Sequence, residues 1–179
     1  MPNFINFKLL ANAMQPLKDY KEKRDFKKTP EPEGNVSKSK EPIFVVQKHH
    51  SRRLHYDVRI EHGGVLKSWA VPKGPSMAPE DKRLAIQTED HPVGYADFAG
   101  TIPKGSYGAG TVEIWDKGAF ENVSRKDGKP ITLAQAFEKG HLRLIFNGSK
   151  LKGLFSFVKT RNNQWLLFRE KVDAPEDKS

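Results

Sequence analysis

A two-residue alternation of apolar and polar side chains is the feature that most constrains the fold of this chain. It begins at Phe44 and recurs in short segments, which is the period of a β-strand. Turn-forming residues separate these segments, for example His62-Gly63-Gly64 and Asn147-Gly148. The pattern predicts about eight strands. They cover residues 43–49, 54–61, 65–71, 83–89, 111–117, 141–147, 151–159 and 164–171.

Helical signals are few. Pro16 can begin a short charged helix over residues 16–26. Thr132 can cap a second helix, with Gln135 reaching back to its backbone and Gly140 ending it. Closely spaced strands with few helices are typical of an antiparallel barrel or sandwich. We therefore predict a mainly β fold, an antiparallel β-barrel of about eight strands with one or two short flanking helices.

The length of 179 residues suits one domain with its own core. We expect residues 1–19 to be an N-terminal extension with helical potential, and residues 172–179 to be a C-terminal tail. The barrel domain is then residues 20–171. Its first part, residues 20–42, forms an N-terminal arm, of which residues 27–42 are rich in Pro, Ser, Lys and Glu.

The composition favours a polyanionic partner. Lys and Arg number 31 against 22 Asp and Glu, a formal net charge of +9, which suits nucleic acid better than a membrane. A merely basic soluble protein would have the same charge. The absence of cysteine excludes disulfides, thiolate nucleophiles and Cys-ligated metals. No apolar run is long enough to span a membrane and no secretory signal is evident, so the expected location is cytoplasmic.

The densest group of chemically active side chains lies on a predicted hairpin. His55, Asp57 and Arg59 alternate along one strand and therefore share a face. A turn beginning at His50 would bring His49 beside them, while His50 itself would point away. Two imidazoles and a carboxylate can hold a divalent cation, and Arg59 can bind a phosphate oxygen directed at it. The alternative is a solvated strand face on which these groups pair with one another.

A second polar segment follows at residues 83–92. Four of its polar side chains alternate, which predicts a common face lining a wet cavity, although an exposed outer face would give the same pattern. They are Arg83, Gln87, Glu89 and His91. Lys73 is predicted at the end of an earlier strand, a common position for an anion-binding lysine.

The glycine-rich stretch at residues 102–110 has neither the GxGxxG nor the P-loop spacing. It is interpreted as a tight loop before a strand, with a weak case for phosphate contact.

Three stretches together resemble a known family: "YKEKRDFKKTPEP", "FVVQKHHSRRLHYDVRIEHGGVLKSWAVPKGPS" and "KRLAIQTEDHPVGYADFAGTIPKGSYGAGTVEIWDKG". They closely resemble the 3′-phosphoesterase domain of DNA ligase D, which also occurs as free-standing bacterial and archaeal proteins. The likeness runs from about Tyr20 to about Lys171, with the landmarks in the same order.

The resemblance implies trimming of DNA 3′ ends. Members of the family remove a terminal 3′-phosphate and resect a 3′-terminal ribonucleotide, leaving a 3′-OH, and they favour Mn²⁺; Zn²⁺ or Co²⁺ are alternatives. Expected substrates are 3′ ends of primer-templates or nicked duplexes. No ligase or polymerase segment accompanies the motifs, so separate ligase, polymerase or Ku proteins are expected partners of a monomeric enzyme.

The resemblance also assigns roles to residues. The implied metal ligands are His49, His55 and Asp57. The implied phosphate-binding or catalytic residues are Arg59, Lys73, Arg83, His91 and Tyr95. Supporting positions are Gln47, Ser68 and Glu89, and the arm residues implied in the diesterase step are Arg24, Asp25 and Glu31. His91 is either a proton donor to the leaving 3′-oxygen or a transition-state contact.

One alternative is a non-haem iron oxygenase. Its facial triad would combine His55 and Asp57 with a distal His91 or His141.

The other alternative is a non-catalytic nucleic-acid-binding barrel. Trp69, Trp115 and Tyr95 would then serve as stacking platforms, although core packing is the preferred interpretation of both tryptophans.

Overall fold

The computed structural model describes residues 16–34, 36 and 40–171. Most of the predicted N-terminal extension and all of the predicted C-terminal tail, residues 172–179, lie outside the described residues. Across the described ranges, none of the helices has the length and apolar character needed to cross a membrane.

Strands dominate the described part of the chain. In chain order the elements are α1 Lys18–Glu22, β1 Ile43–His50, β2 Leu54–His62, β3 Val65–Val71, β4 Arg83–Pro92, a 3₁₀-helix Val93–Asp97, β5 Gly100–Ile102, β6 Gly110–Asn122, β7 Arg125–Lys126, β8 Lys129–Pro130, α2 Leu133–Lys139, β9 His141–Asn147, β10 Lys152–Arg161 and β11 Gln164–Arg169.

Eight of these strands close into an antiparallel barrel, as predicted. The order around the barrel is β1-β2-β3-β4-β11-β10-β9-β6, and pairing of β6 with β1 closes it. All the pairings in this ring are antiparallel. The short strand β5 pairs with the first residues of β6, outside the ring.

Large apolar side chains fill the barrel interior. The Trp69 ring lies 4.8 Å from Phe157 and 5.7 Å from Trp165, centroid to centroid, and Phe44 lies 4.5 Å from Phe146. These residues are fully buried or nearly so. They belong to one continuous apolar cluster, so the alternating positions of the strands form a single core.

A second, smaller apolar cluster lies on the opposite face of the same strands. Phe44 and Val46 of β1 join the interior cluster, whereas Val45 joins the outer one. The outer cluster also takes in Tyr20 of α1 and Tyr95 of the 3₁₀-helix. The N-terminal arm and the 3₁₀-helix therefore cover part of the outer wall, which explains why β1 is apolar at consecutive positions.

The helix predictions are confirmed with one change of length. The helix predicted over residues 16–26 forms only at Lys18–Glu22. In α2, the Thr132 side chain accepts from the Gln135 amide and the Gln135 side chain accepts from the Thr132 amide, while Gly140 ends the helix with φ of 76°. This capping box and left-handed C-cap are the features that the sequence indicated.

Some elements carried no usable signal in the sequence. Strand β5 has three residues, and β7 and β8 have two each, which is too short for any periodicity to show. The 3₁₀-helix was not predicted either. Strand β6 extends to Asn122, beyond the predicted residues 111–117.

A buried carboxylate fixes the turn between β9 and β10. Asp116 of β6 is 4% exposed and accepts hydrogen bonds from the backbone amides of Ser149, Lys150 and Leu151 at 2.8, 3.1 and 2.7 Å. A side chain on Gly148 would meet the same carboxylate at 2.2 Å. The turn is therefore built around this one anion.

Replacement of that anion is expected to destabilise the barrel. Asp116→Ala leaves three backbone amides, including that of the buried Leu151, without their acceptor, and we expect it to lower the free energy of unfolding by about 2–4 kcal/mol. Urea denaturation measures this. The control is Glu113→Ala on the same strand, which removes an exposed carboxylate paired with His50 and should cost less than about 1 kcal/mol. Equal losses in the two variants would contradict the assignment.

Candidate active site

A cavity of about 320 Å³ opens on the outer wall of the barrel, between the first four strands, the arm and the loop before β6. Most of the residues that line it have polar or charged side chains. The residues that line it are Arg24, Glu31, His49, Ser51, His55, Asp57, Arg59, Ala70, Thr88, Glu89, His91, Tyr95, Ile102, Tyr107 and Gly108.

Three potential metal ligands meet at one side of this cavity. In the β1–β2 hairpin, His49 is directly opposite His55, and Gln47 is opposite Asp57. The Asp57 Oδ2 atom lies 3.5 Å from His49 Nδ1 and 3.3 Å from His55 Nε2. One ligand atom from each of the three residues falls within 4.8 Å of the others. The predicted hairpin register and the predicted grouping of these side chains are confirmed.

Backbone carbonyls orient both imidazoles. His49 Nε2 donates to the Gly108 carbonyl at 2.7 Å, and His55 Nδ1 donates to the Arg53 carbonyl at 3.0 Å. His49 Nδ1 and His55 Nε2 therefore face Asp57: in a neutral imidazole this nitrogen has the lone pair that a cation needs, and in a protonated one it donates to Asp57 instead. Metal-binding histidines almost always hold their second nitrogen in this way. The donor set therefore fits a divalent cation.

The charges of the group favour an ionised carboxylate. Burial by itself would raise the pKa of Asp57, but the Arg59 charge and the hydrogen bonds from His49 and His55 outweigh it and hold that pKa well below its usual range. The hydrogen bond to Asp57 raises the pKa of His55. A bound cation would take the place of the proton that His55 and Asp57 otherwise share.

Arg59 is fixed beside the ligands with one donor left free. Its Nε donates to Gln47 Oε1 at 2.7 Å, and Gln47 Nε2 donates in turn to the Tyr95 and Phe98 carbonyls at 2.7 and 3.1 Å. The guanidinium lies 4.9 Å from the Tyr95 ring centroid and its Nη2 lies 3.6 Å from Asp57. Arg59 Nη1 is buried and has no hydrogen-bond partner within the described residues. It is a donor positioned for an anion in the cavity.

His91 lines the cavity from the end of β4. Its Nδ1 donates to the Glu89 carbonyl at 3.0 Å, with Ser68 Oγ at 3.5 Å, and its Nε2 lies 3.4 Å from Arg24 Nη2. Burial, and then the charges of Arg59 and Arg24, lower the pKa of His91 well below its usual value. The imidazole is therefore neutral at pH 7, with the Nε2 lone pair facing Arg24.

The arm is attached to the cavity through Glu31. This buried carboxylate accepts from Arg24 Nε at 3.0 Å, from the Tyr95 hydroxyl at 2.6 Å and from Thr29 Oγ1 at 2.9 Å. Two of the three predicted arm residues thus line the cavity. Asp25 does not, and it lines a smaller neighbouring recess instead.

A β-bulge changes which side chains of β4 face the cavity. The β3–β4 register shifts between Leu66 and Ser68, so that Thr88 is opposite Ser68 and His91 is opposite Leu66. Before the bulge, Gln87 turns inward and accepts from an interior indole at 3.1 Å. The predicted common face of Arg83, Gln87, Glu89 and His91 is therefore wrong. Only the last two of these line the cavity.

Lys73 and Arg83 lie outside the cavity. Lys73 is exposed in the turn after β3, and Arg83 begins β4, where its Nη2 lies 3.4 Å from Asp81. Both positions are at ends of the strands that form the cavity wall. Their contact with substrate stays a prediction.

Several lining residues were not predicted from the sequence. Ser51, Thr88, Ile102, Tyr107 and Gly108 all border the cavity. Three of them come from the glycine-rich stretch at residues 102–110, which the sequence suggested only weakly as a site. The signal was present there, but its spacing matched no phosphate-binding motif.

The alternatives fit this geometry less well. His141 lies on β9 and contacts Ser156 at 3.1 Å, and it does not line the cavity. The group of side chains that could hold a metal ion contains His49 and neither His91 nor His141. Trp69 and Tyr95 are 0% and 2% exposed, which leaves them no surface for stacking on a nucleic acid.

Comparison with known proteins identifies the family. Residues 47–159 match the model of the DNA ligase D 3′-phosphoesterase domain, which is more than half of the chain. The chain belongs to this family. The resemblance read from the sequence is thereby confirmed, and the His49–His55–Asp57 group lies inside the matched segment.

The chain is also similar to longer proteins. A multifunctional non-homologous end joining protein LigD of Pseudomonas aeruginosa is 46% identical over 166 residues, covering 89% of this chain and 19% of that protein. The protein of the same name from Mycolicibacterium smegmatis is 42% identical over 172 residues, covering 90% of this chain and 22% of that protein. The chain thus spans about a fifth of the length of these relatives.

The donor set predicts a selective loss of cation binding. His55→Ala removes one of three ligands and should weaken binding of a divalent cation by at least about 100-fold. Isothermal titration with Mn²⁺, Zn²⁺ and Co²⁺ in turn measures this. The control is His50→Ala, a neighbouring histidine that pairs with Glu113 on the surface and should leave the affinity within about twofold of the original. Comparable loss in both variants would exclude this cation site.

Proposed function

We propose that this protein is a manganese-dependent DNA 3′-end-healing phosphoesterase. It removes a terminal 3′-phosphate and resects a 3′-terminal ribonucleotide, leaving a 3′-OH for repair. The observation that carries the proposal is the cation-binding group of His49, His55 and Asp57 next to a buried, unpaired guanidinium donor of Arg59. Family membership supports the same conclusion.

Each side of the cavity has a task in this reaction. His49, His55 and Asp57 would hold the Mn²⁺, which when bound polarises a phosphate oxygen and lowers the pKa of a coordinated water. Arg59 neutralises the charge that builds on the phosphate oxygens, and Gln47 keeps its guanidinium from rotating away. Because Gln47 is itself held by two backbone carbonyls, the donor is in place before the substrate arrives.

His91 would serve the leaving group. In the free protein its imidazole is neutral, because burial and two guanidinium groups disfavour its protonated form. A phosphate beside Arg59 would add negative charge and offset those guanidinium groups, so that the pKa of His91 rises when substrate binds. The imidazolium can then protonate the leaving 3′-oxygen from Nε2. Ser68 and Glu89 support the ring from its Nδ1 side.

The arm would contribute mainly to ribonucleotide resection. In that reaction a nucleoside lies on each side of the scissile phosphate, so the cavity must accommodate more than a terminal phosphate. Arg24 and Glu31 form the wall on this side, and Asp25 lies in the recess next to it. Lys73 and Arg83 would contact the DNA backbone beyond the cavity.

The partners follow from charge and from the relatives. A net charge of +9 suits binding to the phosphates of a primer-template or nicked duplex. The two relatives described above are named as end-joining proteins, and we propose that this protein acts in the same kind of repair. Ligase, polymerase and Ku activities are its proposed functional partners, and we propose a monomeric state and a cytoplasmic location.

The proposed dependence of hydrolysis on His49, His55 and Asp57 can be tested directly. We expect release of phosphate from a 3′-phosphorylated primer and shortening of a primer ending in a ribonucleotide, both with Mn²⁺ and neither with EDTA. His55→Ala should reduce both rates by at least about 1,000-fold, whereas His50→Ala should retain them. Radiolabelled primers resolved on gels give the rates. Full activity of His55→Ala would end the proposal.

The arm gives a second, selective prediction. Glu31→Gln removes the negative charge that pairs with Arg24 and should slow ribonucleotide resection by about tenfold, the equivalent of one charge-assisted hydrogen bond. The rate of 3′-phosphate removal should change by less than about threefold. The matched control is Glu33→Gln, the same substitution at an exposed position of the arm. Equal slowing of both reactions would assign Glu31 a general structural role instead.

A further inference from the structure

Tyr107 lies beside the candidate active site and has no role in the proposed reaction. It lies in the loop between β5 and β6 and is 48% exposed. It lines the catalytic cavity on one side. On the other side it lines a recess of about 190 Å³ that also contains Lys23, Lys28 and Ser106. The ring therefore stands at the mouth of the cavity, between the candidate metal site and a recess that Asp25 and Glu31 line together with the basic residues.

Two cations lie beside this ring, and each is also paired with a carboxylate, Lys23 with Glu89 and Arg24 with Glu31. The ammonium of Lys23 lies 4.9 Å from the ring centroid, and the guanidinium of Arg24 lies 5.3 Å from it. Both belong to the segment at the end of α1, which Glu31 attaches to the cavity wall. Positive charges beside an exposed aromatic ring are the combination that single-stranded nucleic-acid sites use, because the charges bind phosphate while the ring stacks on a base.

The loop that carries Tyr107 is fixed to the candidate metal site. Its neighbour Gly108, with φ of 74°, accepts the hydrogen bond from His49 Nε2 at 2.7 Å. Two turn hydrogen bonds, from Ser106 N to Pro103 O and from Ala109 N to Ser106 O, both 3.1 Å long, close the loop. The ring is therefore one residue away from the carbonyl that holds the candidate metal ligand His49.

The other aromatic candidates cannot take this role. Trp69 and Tyr95 are almost completely buried, as described above. Trp115 packs against Tyr56 with ring centroids 5.7 Å apart and does not line the cavity. Of the two tyrosines that line the cavity in the described part of the chain, Tyr107 is the exposed one.

We propose that Tyr107 is a positioning residue that stacks on the base of the nucleotide whose 3′-phosphate enters the cavity. This inference rests on the proposed function, since it takes a DNA 3′ end as the ligand. Stacking does not depend on base identity, because every base presents a π-face. The contact would hold the terminal nucleoside while the cavity holds its phosphate, so that sequence-independent end recognition has a structural basis.

Binding can be tested without turnover. The probe is a primer whose 3′-terminal nucleotide is 2-aminopurine with a 3′-phosphate, titrated into the protein without added divalent cation. Stacking quenches 2-aminopurine fluorescence, so we expect quenching with the unmodified protein and with Tyr107→Phe, and its loss with Tyr107→Leu. The control is Ile114→Ala, an exposed apolar residue outside the cavity, which should quench normally. Undiminished quenching with Tyr107→Leu would overturn the proposal.

Kinetics give an independent measure. With a base-bearing 3′-phosphate primer and Mn²⁺, Tyr107→Leu should raise KM by about tenfold and leave kcat within about threefold. With a primer whose terminal residue is an abasic 3′-phosphate, Tyr107→Leu and the unmodified protein should have the same KM, because the base that the ring contacts is missing. An equal rise in KM on both primers would indicate a structural defect of the loop and refute stacking.

Two readouts separate this inference from the proposed function. Unchanged Mn²⁺ affinity of Tyr107→Leu would show that the loop still orients His49. Tyr107-dependent quenching in a protein that hydrolyses neither primer would leave the stacking assignment standing and remove the phosphoesterase proposal. Hydrolysis by a protein whose quenching does not depend on Tyr107 would support the phosphoesterase proposal and refute the stacking assignment.

Discussion

Antiparallel pairing of β1 with two neighbours is the interaction on which the rest of the structure depends. On one edge β1 pairs with β2, and on the other it pairs with β6, which closes the barrel. The same backbone hydrogen bonds set the register that places His49 opposite His55. A slip of one residue would turn the candidate metal ligands inward and the core residues outward. Closure of the core and assembly of the site are therefore one event.

The second requirement is a cover over the outer wall. Charged side chains such as Asp57, Arg59 and Glu31 are each less than a tenth exposed. Burial of a charge is costly unless an opposite charge and hydrogen bonds accompany it. Here Arg59 lies beside Asp57, and Arg24 pairs with Glu31. Strand β2 and the arm thus each supply a pair of opposite charges, and their burial strengthens electrostatic interactions with a substrate.

Local signals predicted much of this arrangement. The hairpin with its ligands needed only alternation and a turn, and the ends of α2 needed only Thr132, Gln135 and Gly140. Residues that act through long-range contacts were harder to place. Nothing in the sequence near Glu89 and His91 marks the bulge that brings both to the cavity, since a bulge is recognised by comparison with the partner strand. Asp116, which organises a turn more than thirty residues away, had no sequence signal at all.

The sequence by itself determined the strand content, the hairpin, the grouping of His49, His55 and Asp57 and the family, because each rests on the order and spacing of neighbouring residues. The tertiary structure alone decided which wall of the barrel carries the cavity, which of the polar residues of β4 reach it and how Tyr107 comes to stand at its entrance. These outcomes depend on pairing between segments far apart in the chain, and such pairing is set by the packing of the whole fold.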